Sequence, residues 1–399
     1  MVGGGAAGFF AAIAAAAAGA EVTILEKTSR VLDKVRISGG GRCNVTHACF
    51  EPRDFATRYP RGGRALLGPF TKFSARDTVA WFEACGVRLK TESDGRIFPI
   101  TDSSQTIVDC LTAAAQNAGV KLRLNSTVES VVKDESGKFE LTLSGDHKIS
   151  ADKLLLATGG CRAAAAGQLA AALGHQIEAP VPSLFTFQIE SPWLRSLAGV
   201  SLELAEVSVP AAKLRERGPL LVTHWGLSGP AILRISAWGA RVLHDLDYKF
   251  PLLVNWLPEL NEEETMQQFQ ARRESAGAKL LVNVPLFPLT ARLWEQLVLA
   301  AGIARDTRWS ALTRAQSQAL ARQILRSEFS VAGKSLNKDE FVTCGGVKLS
   351  EVNFQTMESK VCAGLFFAGE LLDIDGITGG FNFQAAWTTG FIAGNAMAK

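Results

Sequence analysis

The pattern of apolar and polar residues predicts a strand, helix and strand at the start of the chain. Residues 6–20 are apolar without interruption, and residues 21–26 (EVTILE) follow as a short strand. The apolar run resembles the core of a signal peptide. However, no Lys or Arg precedes it, and its 15 residues are fewer than the about 20 that a membrane-spanning helix needs. It also begins inside a glycine motif that cleavage would destroy, so we interpret it as a buried helix.

The next part of the chain alternates between helical and strand patterns. Helices are predicted at 78–86 and 103–119, each closed by a glycine. Short strands with a period of two residues follow over 120–143, and a buried strand is predicted at 154–157.

The pattern changes near residue 183. Residues 183–255 alternate as strands around a predicted helix at 230–238, residues 259–328 have helical periodicity, and residues 365–368 return to a buried strand. The pattern predicts the N-terminal part of a first domain (1–182), an inserted β domain (183–257), a helical subdomain (258–328), a return through the inserted domain (329–345) and the C-terminal part of the first domain (346–399).

A glycine motif stands directly before the first predicted helix. Gly3, Gly5 and Gly8 have the spacing G-x-G-x-x-G, although only Met1 and Val2 precede them, whereas a strand usually has about five residues. The first glycine allows a tight turn, the second lets the backbone approach a pyrophosphate, and the third lets the helix pack close to the sheet. Glu26 ends the second strand, 18 residues after Gly8, where a carboxylate accepts hydrogen bonds from a ribose diol. This combination predicts dinucleotide binding.

Three later segments have the residue types of ligand loops. Residues 34–46 combine three glycines with hydroxyl, guanidinium and amide groups, which favours a ligand loop over an ordinary surface turn. Residues 157–160 (ATGG) end a predicted strand. Residues 369–382 contain acidic residues and the start of the last helix. A carboxylate there can hold the ribityl hydroxyls of a flavin, and the helix dipole favours negative charge on the reduced ring.

Composition narrows the functional classes. The net charge of +3 implies no general attraction to nucleic acid or membranes. Five scattered histidines offer no ligand spacing, so we predict no metal site, and no hydrolase nucleophile motif is present. Seven cysteines form no C-x-x-C pair, which favours reduced thiols in a cytoplasmic protein; they stand at positions 43, 49, 85, 110, 161, 344 and 362.

Several motifs resemble those of the aminoacetone oxidase/BaiN-type NAD(P)/FAD-dependent flavoproteins, over nearly the whole chain. The matching stretches are GGGAAG, SGGGRCNVT, GRIFP, ATGG, THWGLSGP, TCGGV, TMESK and GELLDIDGITGGFNFQAAW. The resemblance implies a glutathione-reductase-type FAD domain, interrupted by a β-barrel-like domain that carries a helical subdomain. The chain departs from this family after ATGG, where Cys161-Arg162-Ala163-Ala164-Ala165-Ala166 replaces the usual glycine-rich, polar loop.

The motifs and the resemblance together identify candidate cofactor-binding residues. They are Gly3, Gly5, Ala6, Ala7, Gly8, Glu26, Lys27, Lys34, Ser38, Gly40, Gly41, Arg42, Cys43, Asn44, Val128, Ala157, Thr158, Gly159, Gly160, Gly369, Glu370, Asp375, Gly379, Gly380, Phe381 and Asn382.

The predicted activity is an oxidoreductase that moves a hydride through flavin N5. NAD(P)H or an oxidisable small substrate is the donor, and a second substrate or oxygen is the acceptor. The resemblance leaves amine oxidation, reduction of enone-like steroid double bonds and reduction of uridine in ribosomal RNA as possible reactions. A non-catalytic FAD-binding or regulatory protein is a further alternative.

Two more specific alternatives rest on local residues. A disulfide reductase would use Cys43 and Cys49, although their C-x5-C spacing is unusual for redox cysteines beside a flavin. An RNA-modifying, uridine-reducing enzyme would use the basic and aromatic residues of 53–76 to hold phosphates and stack bases, although the charge pattern favours an ordinary solvated basic face. Those residues are Arg53, Arg58, Arg61, Arg64, Lys72 and Arg76 with Phe55, Tyr59, Phe70 and Phe73.

His224 is the predicted catalytic residue, in a cleft between the flavin ring and the inserted domain. It lies four residues before Ser228, which we predict as the N-cap of the helix that begins with Pro230. Gly226 and Gly229 are expected to loosen the backbone there, so that the imidazole and the helix N-terminus face one small volume. Arg96 is a second candidate for the pocket, and a structural role for His224 is the alternative.

Overall fold

The computed structural model describes residues 1–161, 164–335 and 342–399. The chain divides into two compact units: the first contains Met1–Ser183 with the described part of Asn337–Lys399, and the second contains the described part of Leu184–Leu336. The helices are α1 (Ala6–Ala17), α2 (Asp33–Gly41), α3 (Pro52–Ala56), α4 (Gly63–Lys72), α5 (Ala75–Ala84), α6 (Ser104–Asn117), α7 (Ala164–Ala172), α8 (Pro192–Arg195), α9 (Pro230–Trp238), α10 (Ala240–Asp245), α11 (Glu262–Ala276), α12 (Ala291–Ala300), α13 (Arg314–Leu325) and α14 (Phe381–Met397). The strands are β1 (Thr23–Leu25), β2 (Thr46–His47), β3 (Leu89–Thr91), β4 (Arg96–Pro99), β5 (Lys121–Arg123), β6 (Val128–Lys133), β7 (Phe139–Leu143), β8 (Lys148–Ala151), β9 (Leu154–Leu156), β10 (Ile177–Ser183), β11 (Thr186–Ile189), β12 (Ser201–Val209), β13 (Leu214–Thr223), β14 (Gly226–Ser228), β15 (Phe250–Asn255), β16 (Ser327–Ser335), β17 (Val342–Val347), β18 (Val352–Asn353), β19 (Glu358–Ser359) and β20 (Leu365–Phe367).

A mostly parallel sheet forms the centre of the first unit. Val2 makes parallel bridges to Leu25 in β1 and to Leu156 in β9. β5 pairs with β1 and β20 pairs with β9, both in parallel, and β19 and β18 extend the sheet in antiparallel fashion. Val2 therefore occupies the position of the central first strand. β9 and β20 are apolar throughout, as expected for parallel strands that are covered on both faces.

Helix α1 confirms the buried helix that the first apolar run predicts. It begins directly after the glycine motif, and both α14 and α6 pack against it, which accounts for the apolar residues on its covered faces. The side that remains uncovered, at Ile13, Ala14 and Ala17, opens to an apolar groove of about 210 Å³ that Trp81 and Phe391 also line.

Two glycines of α14 set its distance from α1. A Cβ atom on Gly390 would lie 2.6 Å from the carbonyl oxygen of Ala7, and one on Gly394 would lie 2.2 Å from that of Ala11. Both separations are too short for a carbon atom beside a backbone oxygen, so glycine at these positions permits the close packing of the two helices.

The second unit contains a closed barrel with strand order β11, β14, β13, β12, β15, β16. Along β13, buried Gly218, Leu220 and Val222 alternate with more exposed neighbours, the period of two that the sequence shows. Helices α11, α12 and α13 lie between β15 and β16 in the chain, and Trp294 and Trp309 stack in their core with ring centroids 6.1 Å apart.

This topology confirms the predicted class, an α/β Rossmann-type domain with an inserted barrel and helical segments. The predicted helices at 103–119 and 230–238 are present as α6 and α9, and the one at 78–86 is present as α5. The sequence predicts that residues 329–345 return through the inserted domain. At the described end of this segment, however, β17 pairs with β10 and belongs to the first unit. Residues 336–341 of this segment, and residues 162–163 of the loop after ATGG, lie outside the described residues. No helix in the described part of the chain is long and apolar enough to span a bilayer.

The packing of α1 on α14 leads to a stability prediction. We expect Gly394→Ala to lower the free energy of unfolding by about 1–3 kcal/mol, because the new methyl group overlaps a backbone oxygen. The matched control Ala17→Val enlarges an exposed position of α1 and should change stability by no more than about 0.5 kcal/mol. Thermal and denaturant unfolding of both variants measure the difference, and equal stabilities would contradict the packing argument.

Candidate functional site

The three glycines of the first motif have different structural reasons to be glycine. A Cβ on Gly3 would lie 2.3 Å from the carbonyl oxygen of Ala157, and one on Gly8 would lie 2.0 Å from that of Gly3, so packing within the protein requires both. Gly5 has an ordinary φ of −92°, and a Cβ there would meet nothing within 4 Å. It faces open space at the N-terminus of α1, where unpaired backbone N–H groups favour an anion.

Glu26, the candidate for the ribose, lies against this glycine loop. Its Oε2 accepts a hydrogen bond from the Gly4 N–H at 2.8 Å, and its Oε1 accepts bonds from the N–H and the hydroxyl of Thr28, both at 2.9 Å. The loop therefore fixes the orientation of the carboxylate, and Oε2 keeps a lone pair for a hydroxyl group. Lys27, the next candidate, is exposed.

Lys34, Gly160 and Glu370 are far apart in the sequence and meet in the first unit. Lys34 Nζ donates to Glu370 Oε2 at 2.5 Å, and the Thr343 N–H donates to Glu370 Oε1 at 2.9 Å. A Cβ on Gly160 would lie 2.9 Å from Glu370 Oε1. In the same ATGG segment, the Thr158 hydroxyl is buried and has no hydrogen-bond partner in the described part of the chain. A buried hydroxyl without a partner is costly, so Thr158 is well suited to bind a ligand group.

The loop around Asn44 is seated on the N-terminus of α14. With its amide oriented by the hydrogen-bond network, the Asn44 side chain donates to the Thr46 carbonyl and accepts from the Gly380 N–H, both at 2.9 Å. A Cβ on Gly380 would lie 2.6 Å from the Thr46 oxygen, and Trp387 Nε1 donates to the Val45 carbonyl at 2.9 Å. These contacts hold the predicted flavin loop against the helix N-terminus that the sequence places beside the ring.

Two predicted flavin ligands, Asp375 and Asn382, form hydrogen bonds with other groups of the protein. The Asp375 carboxylate is fully buried, accepts two hydrogen bonds from the Arg61 guanidinium and a third from the Ser183 hydroxyl at 2.7 Å. The Asn382 amide accepts from the Gly376 N–H at 2.8 Å and donates to the Gly376 carbonyl at 2.9 Å. This geometry gives no support to Asp375 as a flavin ligand, because a buried carboxylate needs the partners it has.

Arg42 and Cys43 also face protein groups. Arg42 pairs with Glu92 at 2.6 Å, and its guanidinium carbon lies 4.0 Å from the Phe98 ring centroid. Burial raises the pKa of the Cys43 thiol to about 12, and burial also raises that of Cys49. Redox cysteines need the thiolate and therefore a lowered pKa, so the disulfide-reductase alternative loses its support.

The remaining candidates occupy the borders of the same elements. Ala6 and Ala7 begin α1, Ser38, Gly40 and Gly41 form the end of α2, Val128 begins β6, Ala157 and Gly159 follow β9, Gly369 follows β20, and Gly379 and Phe381 flank the N-cap of α14. Sequence reasoning missed Thr28 and Thr343. Thr343 stands in the TCGGV stretch, but a threonine in a strand has no chemical signal until its contact with Glu370 is known.

The structure separates the aromatic residues of segment 53–76 from its charges. Phe55, Tyr59, Phe70 and Phe73 are buried, so the expectation that they stack on bases is wrong. Arg61 binds Asp375, whereas the other five cations of the segment, Arg53, Arg58, Arg64, Lys72 and Arg76, have exposed side chains.

In the second unit, His224 and Trp225 form a two-residue turn between β13 and β14. Both side chains are exposed. The Thr223 hydroxyl accepts the Trp225 and Gly226 N–H groups at 3.3 and 3.2 Å, which fixes the turn. The N-cap of α9 is Gly229, not Ser228.

Ser228 is not the cap because its hydroxyl is hydrogen bonded to that of Thr186 at 2.9 Å. Gly226 and Gly229 also do not serve to make the backbone flexible. A Cβ on Gly226 would lie 2.2 Å from the Phe187 oxygen, and one on Gly229 would lie 2.9 Å from the Pro219 oxygen, so both are required by packing.

Arg96, the second catalytic candidate, belongs to the first unit. Its guanidinium pairs with Asp94 at 2.7 Å and with Glu92 at 3.0 Å. The residue that faces it across β2 and β4 is His47, which sequence reasoning did not consider.

Comparison with known proteins identifies the family. The model described as HI0933-like protein Rossmann domain matches residues 1–396. The chain belongs to this family. It is therefore an FAD-dependent oxidoreductase, which confirms the predicted cofactor class and the resemblance drawn from the motifs.

Relatives and solved structures cover the whole chain. The ribosomal RNA dihydrouridine synthase of Escherichia coli is 32% identical over 98% of this chain and 95% of its own length. The 3-dehydro-bile acid delta(4,6)-reductase of Clostridium scindens is 28% identical over 100% of this chain and 98% of its own. A 3-ketosteroid-delta4-(5alpha)-dehydrogenase structure from Rhodococcus jostii has a TM-score of 0.53 at 15% identity, covering 100% of this chain and 96% of that one, and shares the fold.

The residues of the first unit fit FAD. Open space at Gly5 matches a pyrophosphate at the N-terminus of α1, and the oriented Glu26 carboxylate matches the adenosine ribose. The unpartnered Thr158 hydroxyl is a donor available to the same dinucleotide.

The difference between Gly5 and Gly8 yields a prediction. We expect Gly5→Ala to weaken FAD binding at least tenfold, about 1.4 kcal/mol, while the apoprotein keeps its thermal stability, because the methyl group occupies only the space meant for phosphate. Gly8→Ala, in contrast, should destabilise the apoprotein through its clash with Gly3. FAD titration and apoprotein melting separate the two effects. Undiminished FAD affinity of Gly5→Ala would refute the phosphate assignment.

Proposed function

We propose that this oxidoreductase uses NAD(P)H to saturate a carbon–carbon double bond conjugated to a carbonyl group, with uridine in RNA as the substrate. The observation that carries the proposal is the similarity to the Escherichia coli ribosomal RNA dihydrouridine synthase, at 32% identity over 98% of the chain. The bile acid reductase supports the same bond class, since its name also describes reduction of ring double bonds. Uracil has such a bond between C5 and C6, conjugated to the C4 carbonyl.

The proposed reaction balances without a further reagent. NAD(P)H gives up one hydride, and one proton comes from solvent or from an acid of the protein. The two are added across the double bond, so that NAD(P)H is oxidised and the pyrimidine ring is reduced. Bound FAD supplies a ring that can accept a hydride and pass it on.

The chain's own residues supply orientation and charge. The helix α14 offers unpaired N–H groups at its N-terminus, where the loop around Asn44 is anchored to Gly380. Such donors stabilise negative charge that develops on a nearby ring or carbonyl oxygen. Neither Cys43 nor Cys49 is needed for this reaction, in agreement with their raised pKa values.

An anaerobic assay tests the proposal. We expect NADPH or NADH to bleach the flavin of the purified enzyme, and deproteinised ribosomal RNA to restore its colour with a gain of two hydrogens at a uridine, detected by nucleoside mass spectrometry. A 4-ene-3-ketosteroid serves as the competing substrate. Reoxidation by the steroid but not by RNA would exclude uridine and leave a small enone as the substrate, and failure of both nicotinamides to reduce the flavin would exclude the donor.

His224 remains the proposed acid–base residue. The imidazole is exposed on a turn fixed by the Thr223 hydroxyl, so it can reach a substrate at little cost in entropy. We expect His224→Ala to keep its FAD and its melting temperature while substrate turnover falls about a hundredfold, the usual scale for one acid–base group. The neighbouring change Thr223→Val controls for loss of the turn. Normal turnover with a lower melting temperature would show a structural role.

A further inference from the structure

Phe50 is a partly exposed phenylalanine of the first unit that Arg76 contacts and that two exposed arginines follow in the chain. The guanidinium carbon of Arg76 lies 4.7 Å from the centroid of the Phe50 ring, and 36% of the surface of Phe50 is exposed. Arg53 and Arg58 are exposed on the segment that follows Phe50, in and after α3. We call Phe50, Arg53, Arg58 and Arg76 the arginine–phenylalanine surface.

The three guanidinium groups of this surface form no ion pair in the described part of the protein, although the exposed acids Glu51, Asp54 and Asp77 stand beside them in the chain. Arg53, Arg58 and Arg76 form no salt bridge with any described acid, whereas nearby Arg42 and Arg96 are held by Glu92 and other acids. Exposed guanidinium groups together with an exposed aromatic ring are the combination that binds phosphates and stacks a base.

Two contacts join residues 47–58, the segment that contains Phe50, Arg53 and Arg58, to the region around the N-terminus of α14. The Arg58 carbonyl accepts the Ile377 N–H at 2.9 Å, just before Gly379. The His47 ring stacks on that of Phe381, the first residue of α14, with centroids 4.9 Å apart. Burial is the main cause that lowers the pKa of His47, and the positive charge of Arg58 also lowers it.

We propose that the arginine–phenylalanine surface binds the single-stranded RNA that carries the target uridine. This inference rests on the proposed function and adds the residues that recognise the polymer. Arg53, Arg58 and Arg76 contact phosphates, and a base next to the target stacks on the Phe50–Arg76 pair. Because the surface adjoins the N-terminus of α14, a strand bound there leads a neighbouring base toward the flavin loop.

Single-stranded RNA fits this surface better than a duplex. A stacking platform needs an unpaired base, and duplex RNA hides its base faces. Base stacking was predicted for Phe55, Tyr59, Phe70 and Phe73, which are buried. We assign it instead to Phe50, which is exposed beside Arg76.

The test measures binding of a fluorescein-labelled, uridine-rich RNA oligonucleotide to the FAD-loaded enzyme by anisotropy at several salt concentrations. We expect Phe50→Leu to weaken binding about tenfold with an unchanged salt dependence, since it removes stacking and no charge. The plot of log affinity against log salt has a negative slope. Arg58→Gln with Arg76→Gln should make that slope less steep by about 1.4, roughly 0.7 for each lost phosphate contact. Lys360→Gln, an exposed cation elsewhere in the first unit, is the charge-matched control and should change little.

Flavin reduction by NAD(P)H separates this inference from the proposed function. All these variants should be reduced at the wild-type rate and should lose activity on RNA in proportion to their binding. The proposed binding role of this surface would be refuted if the Phe50 and arginine variants bound RNA with wild-type affinity, or if Lys360→Gln lost as much RNA affinity as they do. That conclusion would hold even if the enzyme reduces uridine. RNA binding that depends on these residues without any uridine reduction would support the surface and refute the substrate. Stronger dependence for an acidic peptide than for RNA would also overturn it.

Discussion

The contact on which the rest of the molecule depends is the one between the first glycine loop and the end of β9. Backbone atoms there approach so closely that a Cβ on Gly3 would lie 2.3 Å from the Ala157 oxygen, and a Cβ on Gly8 would lie 2.0 Å from the Gly3 oxygen. This approach brings the N-terminus of α1 to the edge of the sheet and aims its N–H groups at open space. It also buries α1, which in turn needs the glycines of α14 to be covered on its other side.

The same constraint explains why the end of the chain returns to its beginning. Helix α14 covers α1, β20 pairs with β9, and the Glu370 carboxylate reaches Lys34 at 2.5 Å across 336 positions of sequence. The N-terminus of α14 is held by Asn44, so the two helix N-termini that a dinucleotide requires are built from opposite ends of the chain. The insertion of a closed barrel between them leaves this arrangement intact, because the barrel buries its own core.

Family membership and substrate choice are separate questions for this protein. Its FAD-binding residues follow from backbone geometry that relatives with different named substrates can share. The substrate is decided by side chains outside that framework. In our proposals these are the exposed His224 turn in the barrel unit and the arginine–phenylalanine surface in the first unit.

The sequence by itself determined the glycine loop, the acid at the end of β1, the buried α1 and a β region with a helical insertion. All of these are encoded locally, in residue spacing and in the period of apolar positions. The tertiary structure decided which polar groups are free. Asp375 reads as a ligand in sequence, but burial pairs it with Arg61, a residue that the charge pattern had assigned to a basic face. The aromatics of 55–73 read as base platforms, but they are core, and Phe50 is exposed beside Arg76 instead. Sequence cannot reveal such exchanges, because burial and pairing depend on contacts between residues that are distant along the chain.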